Sequence, residues 1–97
     1  MITDDPSHPD INVPTESGQN KAYLVLSEGE RAKGFVRPYR DTYTHRTCGT
    51  TTKMNRQISE TYARKPDFYG ATFCCHCRDH FPVAEFYWTG TTLVVGS

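Results

Sequence analysis

Twenty consecutive residues at one end of this chain, MITDDPSHPDINVPTESGQN, contain no aromatic side chain, no lysine and no arginine. They hold three prolines and four acids instead. A segment of this kind buries too little apolar surface to offset its ordering entropy, which predicts a flexible or loosely docked acidic arm over 1–20. Aliphatic residues are scarce in the remainder, where 21–97 carry nine Leu, Ile or Val. A core so thin rarely supplies more than about 3–5 kcal/mol, so apolar burial alone is a poor account of folding here. No apolar run approaches the roughly 20 residues that cross a bilayer. The opening Met1–Pro6 has neither the basic region nor the apolar stretch of a secretory leader, so we expect a cytoplasmic protein with reduced thiols and no membrane partner.

Catalytic signatures are missing as well. There is no phosphate-binding Walker loop, no Gly-x-Ser-x-Gly and no His-Glu-x-x-His. A zinc deaminase needs His-x-Glu upstream and Pro before Cys-x-x-Cys; here Thr47 and Phe73 stand in those places. A metal-assisted hydrolase or nuclease built from His45, His76, His80 and Asp79 would have to share these groups with a metal site. The expectation is a protein that is not an enzyme.

What the chain does have is two ligand pairs: His45-Arg46-Thr47-Cys48-Gly49, and Cys74-Cys75-His76-Cys77 further along. Each pair is ligand-x-x-ligand, the spacing at which one tight turn presents two donors to a tetrahedral zinc. Four donors fill the coordination sphere and leave no position for substrate, so the site reads as structural. Gly49 suits the first turn, whose backbone N–H groups must face the thiolate. The expected ligands are His45, Cys48, Cys74 and Cys77, with His80 as an alternative to His45 and Cys75 as an alternative to Cys74. A disulfide framework and a redox Cys74-x-x-Cys77 are the competing uses of the cysteines. The adjacent Cys74-Cys75 suits bridges poorly, and Arg78–Pro82 is a poor helix to lower a thiol pKa. A structural zinc contributes on the order of 10 kcal/mol, all of it folding energy, and one such ion would decide whether this chain folds.

The remaining pattern predicts an α+β fold: a small zinc-stapled, zinc-ribbon-like β scaffold over 21–97, with one helix between the two knuckles and a C-terminal β-hairpin. Ala22–Leu26, Phe35-Val36 and Tyr43–Thr47 read as strands. Ser27-Glu28-Gly29-Glu30 is a capping box, with Gly34 at a C′ position. The main helix is expected over Lys53–Lys65, capped by Thr52 and stopped by Pro66, with Met54, Ile58 and Tyr62 on one face. Val83–Trp88, a Thr89-Gly90 turn and Thr91–Val95 form the hairpin. Phe86 and Trp88 share one strand face and should pack on that helix face. The rival arrangement exposes Tyr87 and Trp88 as a partner-binding patch.

The stretches His45-x-x-Cys48-Gly49, Glu60-Thr-Tyr-Ala-Arg64, Asp67–Cys74, Cys77-x-x-His80-Phe-Pro-Val83, Glu85-Phe-x-Trp88 and Val95-Gly-Ser97 resemble small uncharacterised zinc-binding proteins encoded by bacteriophages and related mobile elements. The resemblance covers about 21–97 and carries the metal ligands position by position, but no catalytic residue. It implies a phage accessory protein acting in the bacterial cytoplasm.

Charge narrows the partner. The formal net charge is zero, yet 21–97 hold eleven basic against seven acidic residues. Nine of the cations lie within 31–65, against Asp41 and Glu60 alone. A zinc with three thiolates and one imidazole subtracts about one unit from the domain. Arg37, Tyr39, Arg40, Arg46, Lys53 and Arg56 could contact phosphates and stack bases, or meet a protein. So small an excess is well short of the usual nucleic-acid footprint. A host or phage protein is therefore the first expectation, including inhibition of a host factor, and nucleic acid the second.

Overall fold

A computed structural model describes residues 1–96; Ser97, the last residue of the expected 21–97 unit, lies outside the described residues. Three small sheets and two helices follow from short runs of strand formers between turn residues. β1 (Ile2–Thr3) pairs in parallel with β2 (Tyr23–Leu24). β3 (Thr42–His45), β4 (Thr51–Lys53) and β7 (Phe86–Trp88) form an antiparallel sheet in the order β4-β3-β7. β5 (Ala71–Cys74) and β6 (Asp79–Pro82) form an antiparallel hairpin. The fold is a small mixed α+β structure, with its longer helix between the two ligand turns.

The short helix α1 (Glu28–Arg31) begins as the capping box requires, the Glu30 N–H donating to Ser27 Oγ at 3.2 Å. The longer helix α2 spans Arg56–Arg64, shorter at its start than the expected Lys53–Lys65. Asn55, not Thr52, is the cap, and its Oδ1 accepts from the Ile58 N–H at 2.9 Å. The reason is local: Thr51 and Thr52 are β-branched and pair with Thr44 and Tyr43, which draws Lys53 into β4 as the partner of Thr42. Met54 thus precedes the helix instead of opening it, yet it is still buried. Lys65 and Pro66 end the helix as expected.

Two further expectations are corrected. Phe35-Val36 is not a strand: the N–H groups of Val36 and Arg37 both donate to Ala63 O at the end of α2, and both side chains stay exposed. The C-terminal strand starts at Phe86, because Val83–Glu85 make a single 3₁₀ turn after Pro82. The return stroke is a bridge between Tyr87 and Val94, flanked by bonds from the Trp88 N–H to Leu93 O and from the Val95 N–H to Phe86 O.

Alternation along β7 puts Phe86 and Trp88 inside, 0% and 2% exposed. They join Tyr43, Met54, Tyr62, Cys74 and Val95 in one cluster, with Ile58 packed on its edge. Tyr62 meets the Trp88 ring edge-on at 5.5 Å, and Tyr43 meets Phe86 likewise at 5.3 Å. The expected packing of β7 on Met54, Ile58 and Tyr62 is present, and the exposed-tryptophan arrangement is not. α1 is tied to α2 by Arg31 on Glu60 at 2.5 Å.

Residues 1–20 lie against the rest of the chain. Beyond the β1–β2 pair, Ile11 bridges Ala22, and within the segment Pro14 bridges Asn20. Gly18, at φ +90°, passes so close to the second ligand turn that a Cβ would stand 1.8 Å from Arg78 O, which admits only glycine. No helix among the described residues is long and apolar enough to cross a membrane.

Candidate metal centre

Both ligand turns are tips of β-hairpins built to one plan. His45 is the last residue of β3, and Cys48 follows in the turn to β4. Cys74 is the last residue of β5, and Cys77 follows in the turn to β6. The residue after the second candidate ligand of each turn has positive φ: Gly49 at 72° and Arg78 at 56°. Each turn is closed by a bond back to the first ligand's carbonyl, from Gly49 N–H to His45 O at 2.7 Å and from Arg78 N–H to Cys74 O at 2.8 Å. The first turn uses glycine for the left-handed position, as its sequence suggested; the second forces an arginine into it.

His45, Cys48, Cys74 and Cys77 bring one donor atom each to within 4.8 Å of one another. Donors at tetrahedral corners around zinc, with bonds of about 2.3 Å to sulfur and about 2.0 Å to nitrogen, stand about 3.8 Å (S to S) and about 3.5 Å (S to N) apart. The Cys48 and Cys74 sulfurs are 3.5 Å apart, Cys48 Sγ is 3.5 Å from His45 Nδ1, and Cys77 Sγ is 3.7 Å from the same nitrogen. Three edges of the tetrahedron therefore match the size of one ion. The four cysteines are free thiols.

The electrostatics point the same way. Hydrogen bonds from the Thr50 backbone hold the Cys48 thiol well below its ordinary pKa, helped by the Thr50 hydroxyl, Cys74 and His45. Burial and the neighbouring Cys74 and Cys48 sulfurs push Cys77 well above it. A divalent cation at the centre of the cluster would remove the repulsion between thiolates held this close.

His45 is held from three sides. Its ring, 1% exposed, lies between Phe86 (centroids 4.5 Å apart, 24° between planes) and Phe81 (4.6 Å, 32°). Its Nε2 stands 3.1 Å from Glu85 Oε1, leaving Nδ1 for the metal. A carboxylate on the far nitrogen fixes the tautomer and raises ligand basicity. The sequence reading did not assign Glu85, Phe81 or Phe86 to the site. They lie 36 to 41 positions from His45, and no spacing rule connects a histidine to a partner at that distance.

The alternative ligands lie elsewhere. Cys75 turns away from the cluster towards β4, its Sγ 3.3 Å from Thr52 Oγ1. His80 sits on β6 against Tyr23, whose hydroxyl is 2.8 Å from His80 Nε2. Burial holds the His80 imidazole below its ordinary pKa, opposed by the Asp79 carboxylate.

The cationic residues singled out from sequence make contacts within the protein, although Arg37, Arg46, Lys53 and Arg56 stay exposed. Arg40 lies over the Trp88 ring at 4.7 Å and Arg46 over Tyr87 at 5.7 Å. Lys53 approaches Asp41 at 4.0 Å, and Arg56 bonds Glu60 at 3.1 Å. Arg37 donates to Val36 O, and Tyr39 is 45% exposed.

No family model, curated protein or solved structure matches the chain.

Proposed function

We propose that His45, Cys48, Cys74 and Cys77 hold one structural zinc ion in a zinc-ribbon-like scaffold, and that the stapled domain is a binding module for a protein partner. The observation that carries the zinc is the match of the three donor distances to a zinc tetrahedron. The ion supplies a cross-link between the two hairpin tips. The chain's own groups supply the rest: Thr50 holds the Cys48 thiolate, and Glu85 with the two phenyl rings orients His45. With all four corners taken by protein donors there is no open position for substrate or activated water, which favours a non-catalytic role.

The protein-partner reading draws on the segment between the helices. Phe35, Val36 and Tyr39 are 46%, 54% and 45% exposed within five residues, beside Arg37. Apolar and aromatic side chains next to arginine are the composition of interface anchors. On the resemblance to phage zinc-binding proteins, the partner is a protein of the bacterial host, met in its cytoplasm. Nucleic acid is the second reading, and the seating of Arg40 over Trp88 and of Arg46 over Tyr87 weighs against it.

Purified protein should contain one zinc per chain by elemental analysis, and strong chelator should abolish its circular dichroism melt. Cys77→Ser should lose soluble expression while Cys75→Ser keeps it. Metal-free protein with an unchanged melt overturns the zinc assignment. For the partner, nuclease-treated bacterial lysate should yield one stoichiometric protein that Phe35→Ala/Tyr39→Ala no longer captures. Tight binding to nucleic acid that falls steeply with salt, and that Arg37→Ala/Arg40→Ala weakens equally for all sequences, would replace that reading.

A further inference from the structure

The loop over 34–40, Gly-Phe-Val-Arg-Pro-Tyr-Arg, is fastened through its backbone while its side chains face out. The N–H groups of Val36 and Arg37 both donate to Ala63 O, and Arg64 Nη1 donates to Gly34 O at 3.5 Å. Just past the loop, Asp41 O accepts from the Met54 N–H. Pro38 fixes its own φ and disfavours the helical region for Arg37. Phe35, Val36, Arg37 and Tyr39 nevertheless stay exposed. Apolar side chains displayed on a tethered loop are surface already ordered for contact.

The charges of this loop lack counter-ions. No acid falls within 34–40. The cations around it are matched: Arg31 and Arg56 by Glu60, Lys33 and Arg64 by Glu30, and Lys53 by Asp41. Arg37 and Arg40 meet no carboxylate among the described residues; Arg37 donates to Val36 O, and Arg40 lies over the Trp88 ring at 4.7 Å. The Arg40 Nε is sealed from solvent without a partner, so it is the terminal nitrogens that are left for a ligand. Burial, and behind it the Arg37 charge, hold the Arg40 guanidinium below its ordinary pKa. An anion placed between the two arginines would relieve that repulsion.

We infer that this loop docks an acidic segment of the protein partner: one Asp or Glu carboxylate is taken by Arg37 and Arg40, and a neighbouring apolar side chain lies on Phe35, Val36 and Tyr39. The inference rests on the protein-partner reading and adds the chemistry of the partner. A guanidinium seated on an indole presents a planar fork that a carboxylate matches with both oxygens. Exposed phenylalanine and valine beside it favour a segment with apolar side chains over a phosphate backbone, which would leave them in water.

Selection from a random peptide library on the immobilised, zinc-loaded full chain tests this. Enriched peptides should carry Asp or Glu close to Leu, Phe or Trp. The tightest of them should weaken roughly 10–100-fold when its acid is changed to the amide, the loss of a hydrogen-bonded charge pair. Arg37→Gln/Arg40→Gln should bind the acidic and amide peptides alike, whereas general damage to the loop would weaken both by one factor. Enrichment of peptides without acids overturns the inference and leaves the protein-partner reading standing, as does an acid preference that survives in Arg37→Gln/Arg40→Gln. Enrichment of no peptide also overturns it, and the lysate capture then decides the protein-partner reading by itself. Displacement of the selected peptide by a single-stranded oligonucleotide at physiological salt would assign the arginines to phosphate and overturn the inference in favour of nucleic acid.

Discussion

Glu85 offers the sharpest test of the metal centre, because nothing in its sequence position marks it as part of the site. Its Oε1 lies 3.1 Å from His45 Nε2, the nitrogen opposite the one aimed at the sulfurs. Losing such a partner typically costs about 10–100-fold in metal affinity. The Glu85 side chain is 40% exposed, so water can take its place on Nε2, and the two phenyl rings still hold the imidazole plane. Glu85→Ala should therefore fall at the lower end, about tenfold or roughly 1.4 kcal/mol. Glu85→Gln keeps a neutral acceptor and should lose about threefold. The backbone bond from the Arg46 N–H to Glu85 O is common to all three proteins, so the hairpin contact is unchanged. Competition against a chromophoric zinc chelator at fixed pH gives the three affinities directly. A Glu85→Ala affinity within twofold of wild type would refute the coupling, and so would equal losses in the Ala and Gln variants.

Three other outcomes follow from the structure. Arg78→Gly should raise stability by roughly 0.5–1 kcal/mol, since it relieves a left-handed residue at φ 56° against glycine's greater entropy in the unfolded chain; a lower melting temperature would show the arginine side chain to be worth more than the strain. Trp88→Ala should cost about 3–5 kcal/mol in chemical denaturation of the loaded protein, because the ring is 2% exposed beneath Arg40 and against Tyr62; a wild-type midpoint would place the ring outside the core. Glu60 joins α1 to α2 through Arg31, and the Arg31 and Arg56 guanidiniums outweigh burial to hold its carboxyl below the ordinary range. A carboxyl lowered by folding stabilises above its unfolded pKa of about 4.3 and loses that contribution as pH falls through its folded value. Glu60→Gln should accordingly cost about 1–2 kcal/mol at neutral pH and converge with wild type in acid, and a deficit constant with pH would contradict the ion pair.

The two candidate ligand pairs were legible in the chain because a knuckle is local: two donors three residues apart on one tight turn need no tertiary information to be recognised. The α1 cap and the Pro66 stop were legible for the same reason, each being a contact within one helical turn. The inward face of β7 followed from strand alternation alone. The start of α2 was not legible, since Thr51–Lys53 satisfy a strand or a helix entry equally, and pairing with β3, a non-local event, decided between them. The same holds for Cys75 against Cys74: both can ligate by spacing, and only the β5–β6 register aims one sulfur at Cys48 and the other at Thr52. Glu85, the phenyl clamp and the docking of Gly18 on the second hairpin belong wholly to tertiary structure. Each depends on groups tens of residues apart meeting at fixed distance, and composition and periodicity carry no term for that meeting.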